Sequence, residues 1–498
     1  MKLQFQKKEL ACLRSPLTQV QNLEQTQEVR LPEGMSGISR ILGAWGQVIL
    51  RSKEWQGDSV RLTGGVMTWV LYEPEEGGSL QQLETWIPFR MDWDLPGDFP
   101  EGKVRLQPLL RYVDARSVSA GKVMVRVGIG VLAECWCPHI AQVCQPQEDT
   151  VDVELLRSTW PVRLPREAGE KTFELEEELT LPPSAPQPER LVYFSMDPAV
   201  ADRKVLANRL VFRGNGNLHL MYLSEEGQLH SWDFELPFSQ YTELETGYSS
   251  DAQGDVQMAL IRLELEIDGE GKLHLKAGLT GQYLVDDREM LETVEDAYSP
   301  QRELEVKREV LELPVLLDRR RENIYGEQTI SAGADIPVDV RMLSDFPRQN
   351  REGDAVVLEQ PAMAQILYYD AEGHVQSSAQ RLEGSLRVPA DMGTVLSARP
   401  MGVQPQVIPG ADSMTIRAEM PVQIVSTAGQ GIPMVTELEL GDRKTSDPGR
   451  PSLILRRAED SRLWDIARHH GSTVAAIREA NGFTGEPEAG RMLLIPVL

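Results

Sequence analysis

Short runs of alternating apolar and polar residues recur over most of the chain. In Lys122-Val123-Met124-Val125-Arg126-Val127 the valines share one face and Met124 and Arg126 the other, the two-residue period of a strand with one buried side. Arg262 to Ile267 and Thr172 to Glu176 alternate in the same way. The alternating charges also suit edge strands guarded against aggregation. Gly and Pro punctuate the runs, so the pattern predicts a mainly β protein of sandwich-like or meandering domains.

Two features of the pattern return at long period. A strand, an acidic turn and a second strand ending in Pro-Phe run from Met67 through Tyr72 and Gly77 to Pro88-Phe89. They return from Leu218 through Tyr222 and Gly227 to Pro237-Phe238, and from Gln365 through Tyr368 and Gly373 without the Pro-Phe pair. In each the Tyr precedes the Gly by five positions, and a glycine there permits the positive φ of a tight turn. The second feature is an alternating strand at Lys122–Val127, Lys272–Ala277 and Ser413–Ala418. Its central apolar residue follows the Tyr by 53 positions in the first two copies (Tyr72 to Val125, Tyr222 to Leu275) and by 48 in the third (Tyr368 to Ile416). Order and spacing together predict three diverged β-rich repeat domains, at 28–150, 170–325 and 326–443. Pro182 to Pro188 reads as a loop inside the second, Arg319 to Asn323 as the passage to the third, and Arg443 to Ser452 as a polar linker.

After that linker the period becomes helical. Leu453-Ile454-Leu455 predicts a strand. Asp460 is placed to cap a helix starting near Ser461, with Leu463, Ile466 and Ala467 on one face. Gly471 ends that helix, Thr473 caps a second carrying Val474 and Ile477, and Asn481-Gly482 stop it. Met492 to Ile495 closes the pattern as a strand, giving a small α+β (βααβ) domain at 452–498.

Size and charge narrow the function. A chain of 498 residues holds about three or four domains. Its formal net charge of −25 repels phosphate backbones and anionic lipid, which argues against nucleic-acid or membrane-surface binding. The N-terminal residues lack the apolar run of a secretory signal, and the most apolar window, Val123 to Cys137, is interrupted by Arg126 and Glu134. The expected compartment is the cytoplasm, consistent with four cysteines and no proposed disulfide.

Candidate chemistry is sparse. Cys135, Cys137, His139 and Cys144 form a nominal zinc set, but strand spacing of ligands fits a tetrahedral ion poorly, and cytosolic core thiols are the default. Gly214-Asn215-Gly216-Asn217 reads as a hairpin turn, not a dinucleotide loop. No phosphate-binding loop with its Lys and Ser or Thr occurs in the sequence. His469-His470 end a helix, where positive charge suits the macrodipole. Carboxylates on alternating strands are expected to be solvated. No cofactor or catalytic residue is expected, and a hydrolase using the last domain as a targeting arm is the least supported reading.

Glu459 to Ala467, Thr473-Val474 through Ala480-Asn481-Gly482, and Leu493 to Pro496 resemble a LysM domain, with Glu459 where the usual opening has Gly. The resemblance implies a groove between the loop before the first helix and the loop after the second. Its residues would be Glu459, Asp460, Ser461, Arg462, Leu463 and Trp464 on one side and Asn481, Gly482 and Phe483 on the other. LysM grooves hold N-acetylglucosamine polymers such as peptidoglycan. Trp464 has a plainer alternative role as core filling. Leu31 to Gly34, Ile41 to Val48 and Val113 to Ala120 resemble the repeated domain of the SipL spore-coat morphogenetic proteins of endospore formers, which carry a C-terminal LysM. That resemblance implies a non-catalytic mother-cell scaffold at the forespore surface, with a coat morphogenetic ATPase and other spore-coat proteins as partners. Peptidoglycan or N-acetylglucosamine oligomers are the alternative ligand.

Overall fold

A computed structural model describes residues 2–145, 152–331, 336–410, 413–445, 449–458 and 462–498. The protein is mainly β, as the alternation predicts, with two helices among the described residues. A first unit comprises β1 (Lys2–Gln4), β2 (Gln6–Arg30), β3 (Ile38–Gln56), β4 (Ser59–Pro74), β5 (Gln81–Asp94), β6 (Lys103–Ser119) and β7 (Lys122–Gln145). A second comprises β8 (Glu154–Leu179), β9 (Pro188–Leu206), β10 (Arg209–Ser224), β11 (Leu229–Glu243), β12 (Gln253–Ile267) and β13 (Leu273–Tyr298). A third comprises β14 (Arg302–Ser331), β15 (Ile336–Ser344), β16 (Arg348–Glu352), β17 (Ala355–Tyr369), β18 (Val375–Pro389), β19 (Thr394–Pro400), β20 (Gln404–Pro409) and β21 (Ser413–Arg443). Beyond them lie β22 (Leu453–Arg457), α1 (Leu463–His470), α2 (Val474–Asn481) and β23 (Met492–Pro496).

One antiparallel pairing pattern occurs in all three units. The orders β3-β4-β5, β9-β10-β11 and β15/β16-β17-β18 form one sheet of each. The other is β2-β7-β6, β8-β13-β12, or β14-β21 with β19 and β20 on the far edge of β21. The two sheets bury their facing sides together: Val123, Val125 and Val127 of β7 are fully buried while Met124 is exposed. From Gly128 to Cys135 both faces of β7 are buried, because a neighbouring unit covers the outer one. A Cβ on Gly130 would lie 3.3 Å from the Phe346 ring of the third unit. The cores are continuous between units, since Trp45 stacks on Tyr193 at 5.7 Å and Trp69 meets Phe194 at 4.9 Å.

Each unit extends one two-stranded ribbon. The ribbons run from Arg14↔Cys137 to Gln6↔Gln145, from Pro165↔Asp286 to Glu154↔Tyr298, and from Leu316↔Thr427 to Arg302↔Arg443. Each leaves its sheet near a register shift, at Arg14/Leu17, Val285/Asp286 and Leu316/Asp318, where the added twist of a bulge turns it away. An isolated ribbon has no second layer to bury against and is marginal alone. Here three pack together: Leu10 and Cys12, Val162 and Leu291, and Val315 and Ile432 share one core, and Phe5, Val294 and Val435 belong to the next. β1 crosses to the third ribbon, pairing Leu3 with Leu438.

Three local expectations are corrected. Arg319 to Asn323 lies inside β14, not at a passage between units; Arg319 is held there by Asp286 at 3.0 Å. Gly214 to Asn217 lies in the middle of β10, not at a turn; a Cβ on Gly214 would fall 1.9 Å from the Ala199 carbonyl oxygen of β9, so the glycine permits close strand approach. The third concerns α1, whose start is described below. Positions 28, 170 and 326 fall inside β2, β8 and β14. The turn glycines Gly77, Gly227 and Gly373 do take positive φ, at 72°, 76° and 82°.

Candidate functional site

The C-terminal module is built on the β22–β23 pair, in register from Leu453↔Pro496 to Arg457↔Met492. Leu463, Ile466, Ala467, Ile477, Leu493 and Ile495 fill its core. Gly471 and Gly482 close the two helices in the left-handed conformation, at φ 63° and 68°. Thr473 caps α2, its Oγ1 accepting the Ala476 amide at 3.0 Å.

The helix α1 starts at Leu463 with Arg462 at its N-cap, whose side chain caps none of the first-turn backbone amides. The helix thus begins at Leu463 and not at the expected Ser461, while the expected Asp460 cap lies outside the described residues. The free amide of Leu463 donates instead to Glu486 Oε2 at 2.8 Å. That carboxylate, from the loop after α2, satisfies an orphan donor at the positive end of the helix. It also bridges the two loops between which the groove was expected. Glu459, Asp460 and Ser461 lie outside the described residues.

The remaining expected groove residues separate into two sets. Asn481 serves the module's own structure: its amide nitrogen donates to the Ile477 and Leu494 carbonyls at 2.7 and 2.6 Å, and its oxygen accepts the Leu494 amide at 2.8 Å. It thereby ties the end of α2 to β23. Phe483 is half-buried, with the Arg491 guanidinium 5.0 Å from its ring centroid, and Gly482 is exposed beside it.

Leu463, Arg462 and Trp464 face elsewhere. Leu463 is fully buried. Arg462 pairs with Glu295 of β13 at 3.2 Å and with Asp465 at 3.3 Å. Trp464 is 6% exposed; its indole N–H donates to Asp296 Oδ2 at 3.1 Å and its ring meets Tyr298 edge-on at 4.7 Å. Arg468 adds a bond to the same Asp296 oxygen at 2.6 Å, and Arg308 of the third ribbon pairs with Oδ1. Burial pushes the Asp296 carboxyl up, yet the bonds from Arg308, Trp464 and the Ala297 amide, with the Arg468 charge, hold it below the ordinary carboxylate range. Tyr298 donates to the Ser472 carbonyl at 3.0 Å. The module thus docks through α1 on the end of the second ribbon. Glu295, Asp296 and Tyr298 lie more than 160 positions before α1, and nothing local in the sequence marks them.

The other candidates resolve simply. Cys12, Cys135, Cys137 and Cys144 are buried free thiols, and burial, with the nearby Cys137 and Glu134, pushes Cys135 up to about 12. Among the described residues no group of three or more His, Cys, Asp or Glu is arranged to hold a metal ion. His470 accepts from Arg456 at 3.0 Å, and burial, His469 and Arg456 pull its pKa down, so the ring opposes a proton despite its place at the helix end. No helix among the described residues is long and apolar enough to cross a membrane.

No curated protein and no solved structure matches the chain. Residues 188–268, which span β9 to β12 of the second unit, match the family described as SipL, SPOCS domain, and over that segment the chain is SipL-like.

Proposed function

We propose that this protein is a non-catalytic sporulation scaffold of the SipL type, with three diverged β repeats carrying a C-terminal LysM module. The SPOCS match to 188–268 carries the reading. Two further observations support it. The pairing pattern of the matched segment's unit recurs on both sides of it, and the last residues form a strand–helix–helix–strand knob at the end of the ribbons. In this reading the module recruits a coat morphogenetic ATPase, the β units engage other coat proteins, and the protein works in the mother cell at the forespore surface.

A protein partner is favoured over N-acetylglucosamine polymer by what the groove residues already do. Arg462 and Trp464 are engaged by the second ribbon, Asn481 by Leu494, and the Leu463 amide by Glu486. Among the described groove residues these donors are already taken, whereas the exposed outer surface of β22 and β23, including Leu453, Leu455 and Met492, stays available. A pull-down comparing the full chain with one ending before Leu453 tests the reading. Loss of ATPase capture on truncation is expected; undiminished capture contradicts the recruiting role. Sedimentation with purified sacculi, competed by N-acetylglucosamine oligomers, would reveal the sugar-binding alternative.

A further inference from the structure

Where the three units meet, arginines outnumber carboxylates. Arg105 of β6 and Arg399 of β19 both bind Oδ2 of Asp255 on β12 at 2.8 Å, and Arg399 also pairs with Glu134. Arg203 lies 3.8 Å from the other Asp255 oxygen, and Gln423 donates to that oxygen at 3.0 Å. Arg163 and Arg319 share Asp286 at 2.9 and 3.0 Å, while Arg321 donates to the Val200 carbonyl at 3.2 Å. Six guanidinium groups (Arg105, Arg163, Arg203, Arg319, Arg321, Arg399) thus surround three carboxylates (Glu134, Asp255, Asp286), a surplus of three positive charges in a chain whose net charge is −25.

The buried members Arg105, Arg319 and Arg399 are matched by these carboxylates, so the excess positive charge lies with Arg163, Arg203 and Arg321, which reach solvent and can meet an anion there. Burial, with Arg319, Arg321 and Arg105 nearby, pulls the Arg203 pKa down despite the Asp255 charge. The buried Nε atoms of Arg105, Arg319 and Arg399 have no hydrogen-bond partner. Beside the cluster lies a cavity of about 300 Å³ whose walls come from all three units. Arg203, Arg321, Arg341 and Arg399 line it, and Asp197 is the one carboxylate among the lining residues. Arg321 is exposed, which gives the cavity a basic entrance.

We propose that this junction binds a small phosphate-bearing anion, which neutralises the arginine surplus and clamps the three units together. Planar guanidinium forks from several strands match phosphate oxygens in a way that isolated ammonium groups do not. The volume admits a phosphate or diphosphate with a small organic group and excludes a macromolecule.

The test is titration calorimetry on the full chain with inorganic pyrophosphate and with a nucleoside diphosphate, followed by thermal unfolding with each. Saturable one-site binding and a rise in unfolding temperature are expected with at least one of them, and the tighter of the two shows whether an organic group is recognised. Arg321→Gln, at an exposed position that leaves the Asp255 cluster intact, should weaken that binding by about tenfold or more. Arg116→Gln, at a side chain 78% exposed and outside the cluster, should leave it unchanged. Absence of saturable binding, equal stabilisation by chloride at matched ionic strength, or unchanged affinity in Arg321→Gln would each overturn the proposal.

Discussion

Trp464 of the C-terminal module donates its indole N–H to Asp296 at the end of the second ribbon, 3.1 Å away across 168 positions of sequence. The same carboxylate receives Arg468 from the module and Arg308 from the third ribbon. Removing it leaves all three donors without their anion, at a cost of about 1–3 kcal/mol for docking. Asp296→Ala should therefore leave the module folded but release it, seen as faster proteolysis of the segment around Lys444 to Pro451. Unchanged proteolysis would show that the apolar contact of Trp464 with Tyr298 suffices.

The pH dependence of that docking has a defined sign. The Asp296 carboxyl is depressed relative to its ordinary value of 3.8, so its contribution is fully present above that value and is lost as pH falls through the lower, docked value. Docking should be constant from pH 5 to 7 and fail only under stronger acid. Small-angle scattering across that range checks the expectation, and Asp296→Asn should remove the acid dependence.

A second titration bears on the join between the second and third units. His219 lies buried with Nδ1 2.8 Å from Asp233 and Nε2 3.3 Å from Asp339 of β15. Burial pulls its pKa down, but the two carboxylates more than offset that and lift it above 6.5. A raised folded pKa stabilises fully below the unfolded value and is lost as pH rises through the folded one. The unfolding temperature should therefore fall on the alkaline side of 6.5, and His219→Gln should flatten that slope.

Asp255 holds Arg105, Arg399 and Gln423 from two other units. Asp255→Ala strands buried guanidinium groups and should destabilise by roughly 3–5 kcal/mol in urea unfolding. A change under about 1 kcal/mol would mean that the cluster relaxes into water.

Gly214→Ala distinguishes a strand interior from a turn. With Ala199 O in the way of any Cβ, β9 must shift and stability should fall by about 2 kcal/mol or more, read as a lowered unfolding temperature. A tolerated substitution would contradict the β10 register.

What the sequence disclosed follows from how local each signal is. Val123, Val125 and Val127 announce a half-buried strand because burial repeats every two residues, and Gly77, Gly227 and Gly373 announce their turns because positive φ favours glycine. Thr473 discloses its helix for the same local reason. Gly214-Asn215-Gly216-Asn217 misleads because turn composition and close strand approach both select glycine. Arg319 to Asn323 misleads because Arg319 is paired with Asp286 far along the chain, while Arg320 is paired with Asp318 and Glu322 within the strand itself. Glu486 at the start of α1, and Glu295, Asp296 and Tyr298 beneath it, act across tertiary contacts that no periodicity encodes.

The recruiting role rests on the last strand–helix–helix–strand segment binding protein in preference to sugar. Titrating purified coat morphogenetic ATPase into the full chain, and into a chain without residues 453–498, measures this with N-acetylglucosamine oligomers as competitor. Affinity lost by about a hundredfold on truncation, and unmoved by the oligomers, is the expected result. Equal affinity in both chains, or displacement of the ATPase by the oligomers, would contradict it.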